Sequence, residues 1–384
     1  MLRELLPYIA VLPATAYSLL TLWCGWSFFE GQGSRVKAQS AADPAITILK
    51  PVKGMDEGSY ENFASFCCQD YKAPVQILFA VAAAEDPAIE AIRQLMADFP
   101  DNDIGLSIDP ALHGPNLKVS NLINAFPMVK HDIIIICDSD IRVLPTFLSS
   151  VTENFNDPEV GLVTSPYCSS KLHGPVTALE ALAFTCEMTP NVLTALKLEG
   201  LSFALGASMA VRRKALEDIG GLQSLANYLA DDYQLGNKIF LAGWKLSLDH
   251  QFVESMMKPE RLPDLLARQL RWARTMRVSR PGGYLASGIT LPGTGLLLAF
   301  LAGKPLTALM AMALLYAVRI TVSCIYSRVW IKDRLLPFWW WLLPLRDIIA
   351  MATWLLAFLG NRVTWRGQKF RIAADGTMFL DTTR

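Results

Sequence analysis

The chain has 384 residues, 52% hydrophobic and only 18% charged, against about 25% charged in ordinary soluble domains. That composition excludes a disordered chain and argues against a wholly soluble enzyme, in line with a mean hydropathy of +0.30. Lys+Arg and Asp+Glu both number 35, so no net charge favours a nucleic-acid partner; seven cysteines without a CxxC pair and four histidines argue against a disulfide framework or a zinc site.

Residues 5–29 carry no charge. At about 1.5 Å per helical residue they span a hydrocarbon core about 30 Å thick. The run has no basic leader and is too long for a signal peptide, so it is read as an uncleaved anchor. A polar connector, 31–44, follows. Its Arg35 and Lys37 place the next domain in the cytoplasm by the bias of basic residues toward that side.

From 44 to 280 short apolar runs alternate with helical stretches. Strands are predicted at 45–49, 75–81, 132–137 and 160–164, and helices at 59–69, 87–98, 117–126 and 145–154, with Pro87 and Pro145 suited to first helical turns. The alternation predicts an α/β fold with a mostly parallel sheet covered on both faces. Such sheets take ligands at the carboxyl ends of their strands.

Four groups sit there. Glu85-Asp86-Pro87 follows the second strand; a carboxylate here serves either a nucleotide or the helix N-cap. Asp138-Ser139-Asp140 follows the run 133–137. Two carboxylates one residue apart repel, and a Mg²⁺ or Mn²⁺ ion that also binds substrate phosphates would neutralise them; a solvated turn is the plainer alternative. Asp231-Asp232 opens a helical stretch reaching Phe240. They are either capping charges or a general base aimed into a pocket, and the residues alone leave the two readings even. Finally, arginines recur at 268, 271, 274, 277 and 280. Guanidinium groups suit a diphosphate, but the same stripe suits anionic headgroups. The expected division places 268 and 271 toward the site and 274–280 toward lipid.

The C-terminal third is apolar again. Residues 281–303 carry no charge, 305–327 only Arg319, and 335–361 only Arg346 and Asp347. The latter pair either breaks its segment or faces other helices. Trp339, Trp340 and Trp341 suit a membrane interface. Arg362, Arg366, Lys369 and Arg371 predict a cytoplasmic tail. Three full crossings would forbid that, so one segment is expected not to cross. The organisation read from the chain is an anchor (1–30), a catalytic domain (31–280), membrane segments (281–361) and a basic tail (362–384).

In this order the motifs carry a resemblance. Leu49-Lys50-Pro51-Val52-Lys53-Gly54, Glu85-Asp86-Pro87-Ala88-Ile89, Asn116-Leu117-Lys118-Val119-Ser120-Asn121-Leu122 and Cys137-Asp138-Ser139-Asp140-Ile141-Arg142-Val143 are followed by Gly161-Leu162-Val163, Gly206-Ala207-Ser208-Met209, Asp231-Asp232-Tyr233, Arg268-Gln269-Leu270-Arg271-Trp272 and Thr364-Trp365-Arg366-Gly367. The chain resembles the ceramide glucosyltransferases and their bacterial relatives of hopanoid synthesis, from anchor to tail.

The resemblance implies a membrane-embedded enzyme with a cytoplasmic GT-A domain, a UDP-sugar donor carrying glucose or N-acetylglucosamine, and a lipid acceptor of ceramide or hopanoid type. It implies that Asp86 contacts the nucleotide, that Asp138 and Asp140 bind Mg²⁺ or Mn²⁺ with the diphosphate, that Asp232 is the base, and that Arg268, Arg271 and Trp272 close the donor site. Lys53, Lys118 and Asn121, in the matched segments, are assigned to the donor side.

The chain also departs from the pattern. The animal enzymes have Gly where Asp140 stands here, and a histidine near Met188-Thr189-Pro190 that is missing here. The second departure bears on the acceptor. Processive synthases carry Gln at position 268, which is Arg here. The stretch 176–198, apolar but for Glu180, Glu187 and Lys197, is expected to line the lipid's path. The absence of an Asn-x-Ser/Thr sequon points to a bacterial inner membrane. A membrane scaffold or transporter with a decayed transferase domain is the competing class, and the intact carboxylates at 138, 140 and 232 speak against it.

Overall fold

The computed structural model describes residues 2–30, 43–169, 171–301, 305–333 and 336–381. Arg35 and Lys37, with most of the predicted connector, lie outside the described residues.

Leu2–Phe29 is one helix. It is a candidate membrane span, as are Pro305–Ile331 and Phe338–Ala357. Between them Pro281–Thr290 and Pro292–Leu301 form a pair bent by 50°. Pro292 stands at the bend, where a proline has no N–H to continue the first helix.

The central sheet has seven strands in the order Asp103–Ile108, Val75–Val81, Ile46–Val52, Ile133–Cys137, Ser208–Arg212, Val160–Thr164 and Lys245–Leu248. All pairings are parallel except those of Ser208–Arg212, which runs antiparallel between two neighbours. Ile46–Val52 and Ile133–Cys137 are buried along their whole length, because helices cover both faces. Four strands match the sequence expectation. Asp103–Ile108, Ser208–Arg212 and Lys245–Leu248 add to it; the first and last are edge strands with mixed exposure, so their apolar signal is weak. The prolines move slightly: Pro87 caps Ala88–Asp98, and Pro145 lies just before Phe147–Glu153.

The stretch 176–198 is a helix pair, Pro175–Ala183 and Thr189–Glu199, joined by a π-helical turn at Phe184–Met188. It lies against the anchor helix: Tyr17 donates to Asn191 at 2.7 Å and Lys197 to Ser27 at 2.9 Å. The anchor's end is fixed to the catalytic domain by Phe28 stacked on His250, ring centroids 4.1 Å apart.

Arg346 and Asp347 do not interrupt their helix, Leu343–Ala357; both are buried and face other helices. Arg346 donates to Glu187 at 2.7 and 2.8 Å and to Gln269 at 3.1 Å, while Asp347 accepts from Arg319 at 2.5 Å and Tyr316 at 3.1 Å. Leaving either arginine without its partner would strand a buried charge, at a cost of about 3–5 kcal/mol. The last residues are more than a basic tail. Arg362–Trp365, Gln368–Ile372 and Met378–Leu380 form an antiparallel sheet with Val363, Phe370, Ile372 and Met378 buried on Leu229 of the catalytic domain.

Candidate active site

The site starts where Ile133–Cys137 ends. Its five buried residues deliver Asp138 to the carboxyl edge of the sheet. The turn is held from two sides. Asp138 donates its N–H to the Ala207 carbonyl at 3.2 Å, and its own carbonyl accepts from Lys50 Nζ at 2.9 Å. Lys50 is fully buried in the neighbouring strand, 3.9 Å from the Phe66 ring centroid. Burial lowers its pKa, against the pull of Cys137, Asp138 and Asp140. Sequence reasoning gave Lys50 no role. The available signal was one lysine inside the otherwise uncharged strand Ile46–Val52.

Lys118 joins two of the predicted groups. Its ammonium lies 2.8 Å from Asp138 Oδ1 and 3.3 Å from Asp231 Oδ2. Burial alone would lower its pKa, but Asp138 and Asp231 outweigh burial and raise it, so it is held as a cation. Asn116 caps helix Leu117–Ala125 by accepting from Val119 N–H at 3.1 Å. Its Nδ2 also donates to Asp231 Oδ1 at 3.2 Å and to the Tyr228 carbonyl at 2.8 Å. One helix N-terminus thus ties Asp138 to the first turn of Asp231–Leu241.

Asp232 is the next residue of that turn. One oxygen accepts from Tyr233 N–H at 2.8 Å. The other lies over Gly206, where a Cβ would come within 2.7 Å of it. Burial and the neighbouring Asp231 push its carboxyl up to about 6, with Lys118 opposing. Burial and Asp138 push Asp140 to about 6 as well. Carboxyl groups so raised can take up a proton near neutrality.

The remaining predicted residues divide. Asp86 accepts from Gly54 N–H at 2.9 and 3.0 Å and from Ala88 N–H at 2.9 Å, so it both caps its helix and closes the loop after Ile46–Val52. Lys53 is exposed on that loop. Asn121, buried, is one turn beyond Lys118 on the same helix.

On helix Leu262–Ser279, the Arg271 guanidinium makes no hydrogen bond or ion pair among the described residues. Burial and the adjacent charge of Arg268 lower it to about 10, against the pull of Asp232 and Asp231. Arg268 is clamped by Glu180 at 2.6 and 2.9 Å and by Glu260 at 2.6 Å, and lies 5.8 Å from the Trp272 ring centroid.

The expected turn of Arg274, Arg277 and Arg280 toward lipid is corrected. Arg274 donates to the Arg362 carbonyl, Arg277 to the Gly360 carbonyl at 3.3 Å, and Arg280 pairs with Glu199. A spacing of three rotates the stripe around the helix until it meets the C-terminal sheet. Tyr167, also missed, packs edge-on against Phe184 at 4.8 Å, and Phe184 reaches Trp272 at 6.3 Å. Burial raises its hydroxyl pKa first, and Asp232, Glu180, Asp138 and Asp140 add to that. It sits on the short strand Tyr167–Ser169, where no sequence motif marks it.

Among the described residues no three His, Cys, Asp or Glu side chains gather as a ready-made metal cage. The donor set nonetheless fits a hard divalent cation. Asp138 and Asp140 flank one residue at a strand end, and the Asp138 side chain is 37% exposed. Such ions keep several waters and take further oxygens from substrate phosphates.

Fold and site define a glycosyltransferase with a GT-A domain. Over 92% of this chain and 98% of the other, the fold matches the mannosyltransferase PcManGT from Pyrobaculum calidifontis, solved in complex with GDP-Man and Mn²⁺, with a TM-score of 0.51 at 18% identity.

The chain belongs to glycosyl transferase family 21, whose family model matches residues 6–378. Its relatives include ceramide glucosyltransferase 3 of Caenorhabditis elegans, 26% identical over 351 residues (89% of this chain, 75% of that protein). Ceramide glucosyltransferase 1 of the same organism is 25% identical over 344 residues (87% and 72%).

Proposed function

We propose that the protein transfers glucose or N-acetylglucosamine from a UDP-sugar to a hydroxyl of a membrane lipid, inverting the anomeric centre to β. The observation that carries this reading is the link Asp138–Lys118–Asp231, with Asp232 beside it, at the carboxyl edge of a sheet whose domain is fastened to apolar helices at both ends.

Asp138 and Asp140 would hold Mg²⁺ or Mn²⁺, which when bound supplies positive charge for the leaving diphosphate. Arg271 stands ready for the same oxygens, because no acceptor among the described residues occupies its guanidinium. Arg268 joins it once freed from Glu180 and Glu260. A lipid hydroxyl is a weak nucleophile, and Asp232 takes its proton as it attacks the anomeric carbon. The C1–diphosphate bond breaks as the new C–O bond forms, so one displacement gives inversion.

The topology belongs to the same reading. The ends of block 281–361 meet on one side, since Arg274 and Arg277 of the arginine helix bind the Arg362 and Gly360 carbonyls. An even number of crossings follows. The bent pair runs from Tyr284, beside Trp354 and Phe358, to Ala299, beside Val11 and Ala14 of the anchor, and Pro305–Ile331 returns to set Trp330 on Phe29, so these two cross; Phe338–Ala357, packed at Leu343 on Leu182 and Leu265 and ending at the arginine helix, enters and leaves on one side. The bias of basic residues toward the cytoplasmic side supports a cytoplasmic catalytic domain and C-terminal sheet.

The test is turnover in lipid nanodiscs with UDP-glucose or UDP-N-acetylglucosamine, with ceramide or a bacteriohopanetetrol-type lipid, and with Mn²⁺, Mg²⁺ or excess chelator. A β-linked glycolipid together with released UDP is expected in at least one pairing, and chelation should abolish both. No glycolipid in any pairing overturns the reading. Full turnover in chelator removes the cation from it.

A further inference from the structure

The C-terminal sheet packs on, and hydrogen-bonds to, the loop that leads into Asp231. Its strands are only four, five and three residues long, and its one apolar face is turned onto the catalytic domain. Its buried face meets Leu229, and partly Val278. Its last strand continues onto the catalytic domain. Met378 donates its N–H to the Asn227 carbonyl at 2.8 Å, and Thr377 forms an antiparallel bridge with Tyr228.

Segment 226–231 is thereby gripped between two partners. On its far side the Tyr228 carbonyl accepts from Asn116 Nδ2, the atom that also reaches Asp231 Oδ1, and Asn116 donates its N–H to the Ala226 carbonyl at 3.0 Å. The fit there is tight: a Cβ on Gly114 would lie 2.5 Å from the Ala226 carbonyl oxygen. The sheet's first strand and the residue pair before it receive Arg274 and Arg277, which follow Arg271 on its helix by one and two turns. Tyr233, next to Asp232, closes the ring by donating to the Ser279 carbonyl at 3.0 Å.

We infer that the C-terminal sheet, 362–380, is a positioning element of the active site. It clamps segment 226–231 and the arginine helix in one register, so that Asp231, Asp232 and Arg271 face a common point. The chain beyond the last membrane helix returns to hold the base and the diphosphate-binding arginine together. The assignment of those two roles rests on the proposed function; the clamp itself rests on the contacts above.

The test uses the full chain in nanodiscs. Met378→Pro removes the N–H donated to Asn227, Met378→Leu retains it, and a chain ending at Asn361 lacks the sheet. Hydrogen exchange of amides 226–233 is read first, because it needs no turnover. Met378→Pro and the shortened chain should lose protection there while strand Ile133–Cys137 keeps it, and Met378→Leu should match the unaltered protein. In the unaltered protein turnover is then measured. With it established, kcat should fall at least about tenfold in Met378→Pro, as expected for sub-ångström misplacement of reacting groups, with UDP-sugar affinity within about twofold. Unchanged protection at 226–233 in Met378→Pro overturns the clamp, as does an unchanged kcat. If the unaltered protein shows no turnover with any donor, the proposed function fails, and the exchange data still decide the clamp. If the shortened chain does not fold, the full-length Met378→Pro variant decides the clamp by itself.

Discussion

Gly206→Ala tests the placement of the base by sterics alone. Gly206 is not at a positive φ, so alanine is compatible with its backbone. What alanine lacks is room. Its methyl would lie 2.7 Å from Asp232 Oδ2, 3.2 Å from Cγ and 3.3 Å from Cβ, where ordinary contact begins near 3.4 Å. The carboxylate must therefore retreat by roughly 0.7 Å, and misplacement by about 1 Å costs about 10²-fold in rate, so kcat should fall about tenfold. The groups proposed for the donor diphosphate, Asp138, Asp140 and Arg271, are not among the atoms the new methyl would meet, so the UDP-sugar KM should stay within about twofold. The assay is initial-rate kinetics in nanodiscs, with donor binding and thermal unfolding measured in parallel. An unchanged kcat would show that Asp232 does not act from this position. A tenfold rise in donor KM with kcat intact would make Gly206 part of the donor pocket instead.

Asp232→Asn keeps size and hydrogen bonding but removes basicity; turnover should drop about 10²–10⁴-fold with donor affinity nearly intact, and a larger effect in Asp231→Asn would move the base by one residue. The base works ionised, and burial with Asp231 pushes Asp232 to about 6, so kcat/KM should climb with pH up to about 6 and level off above it; a flat profile from about pH 5 to 7 would contradict this. Arg271→Lys should damage turnover, because an ammonium cannot reproduce a planar two-pronged contact, whereas Arg277→Lys keeps a donor for the Gly360 carbonyl and should be nearly silent. Equal damage from both would extend the donor site further along the helix.

Periodicity and composition made the layout legible. A charge-free run long enough to span a bilayer is a membrane segment in almost any context, and buried parallel strands such as Ile133–Cys137 announce themselves because both faces must be apolar. The carboxylates at 138, 140, 231 and 232 were legible for a related reason: charge placed just after a buried strand or at a helix start needs a partner. What the chain alone could not reveal was which partner.

Lys118 is 20 residues from Asp138 and 113 from Asp231, and only the sheet order brings its ammonium to both. Lys50 looks like any lysine until burial deprives it of water and leaves the Asp138 carbonyl as its acceptor. Five arginines at a spacing of three predict a stripe, but its targets depend on what packs beside each helical turn. Arg268 meets two glutamates, Arg271 keeps its guanidinium unpaired among the described residues, and Arg274 and Arg277 meet carbonyls beyond the last membrane helix. The C-terminal residues read as a basic tail because their strands are short and half-exposed. Their apolar face acquires meaning only against Leu229, more than 130 residues earlier in the chain. Local pattern follows from the chemistry of neighbours in sequence, whereas partnership follows from neighbours in space, which only the fold supplies.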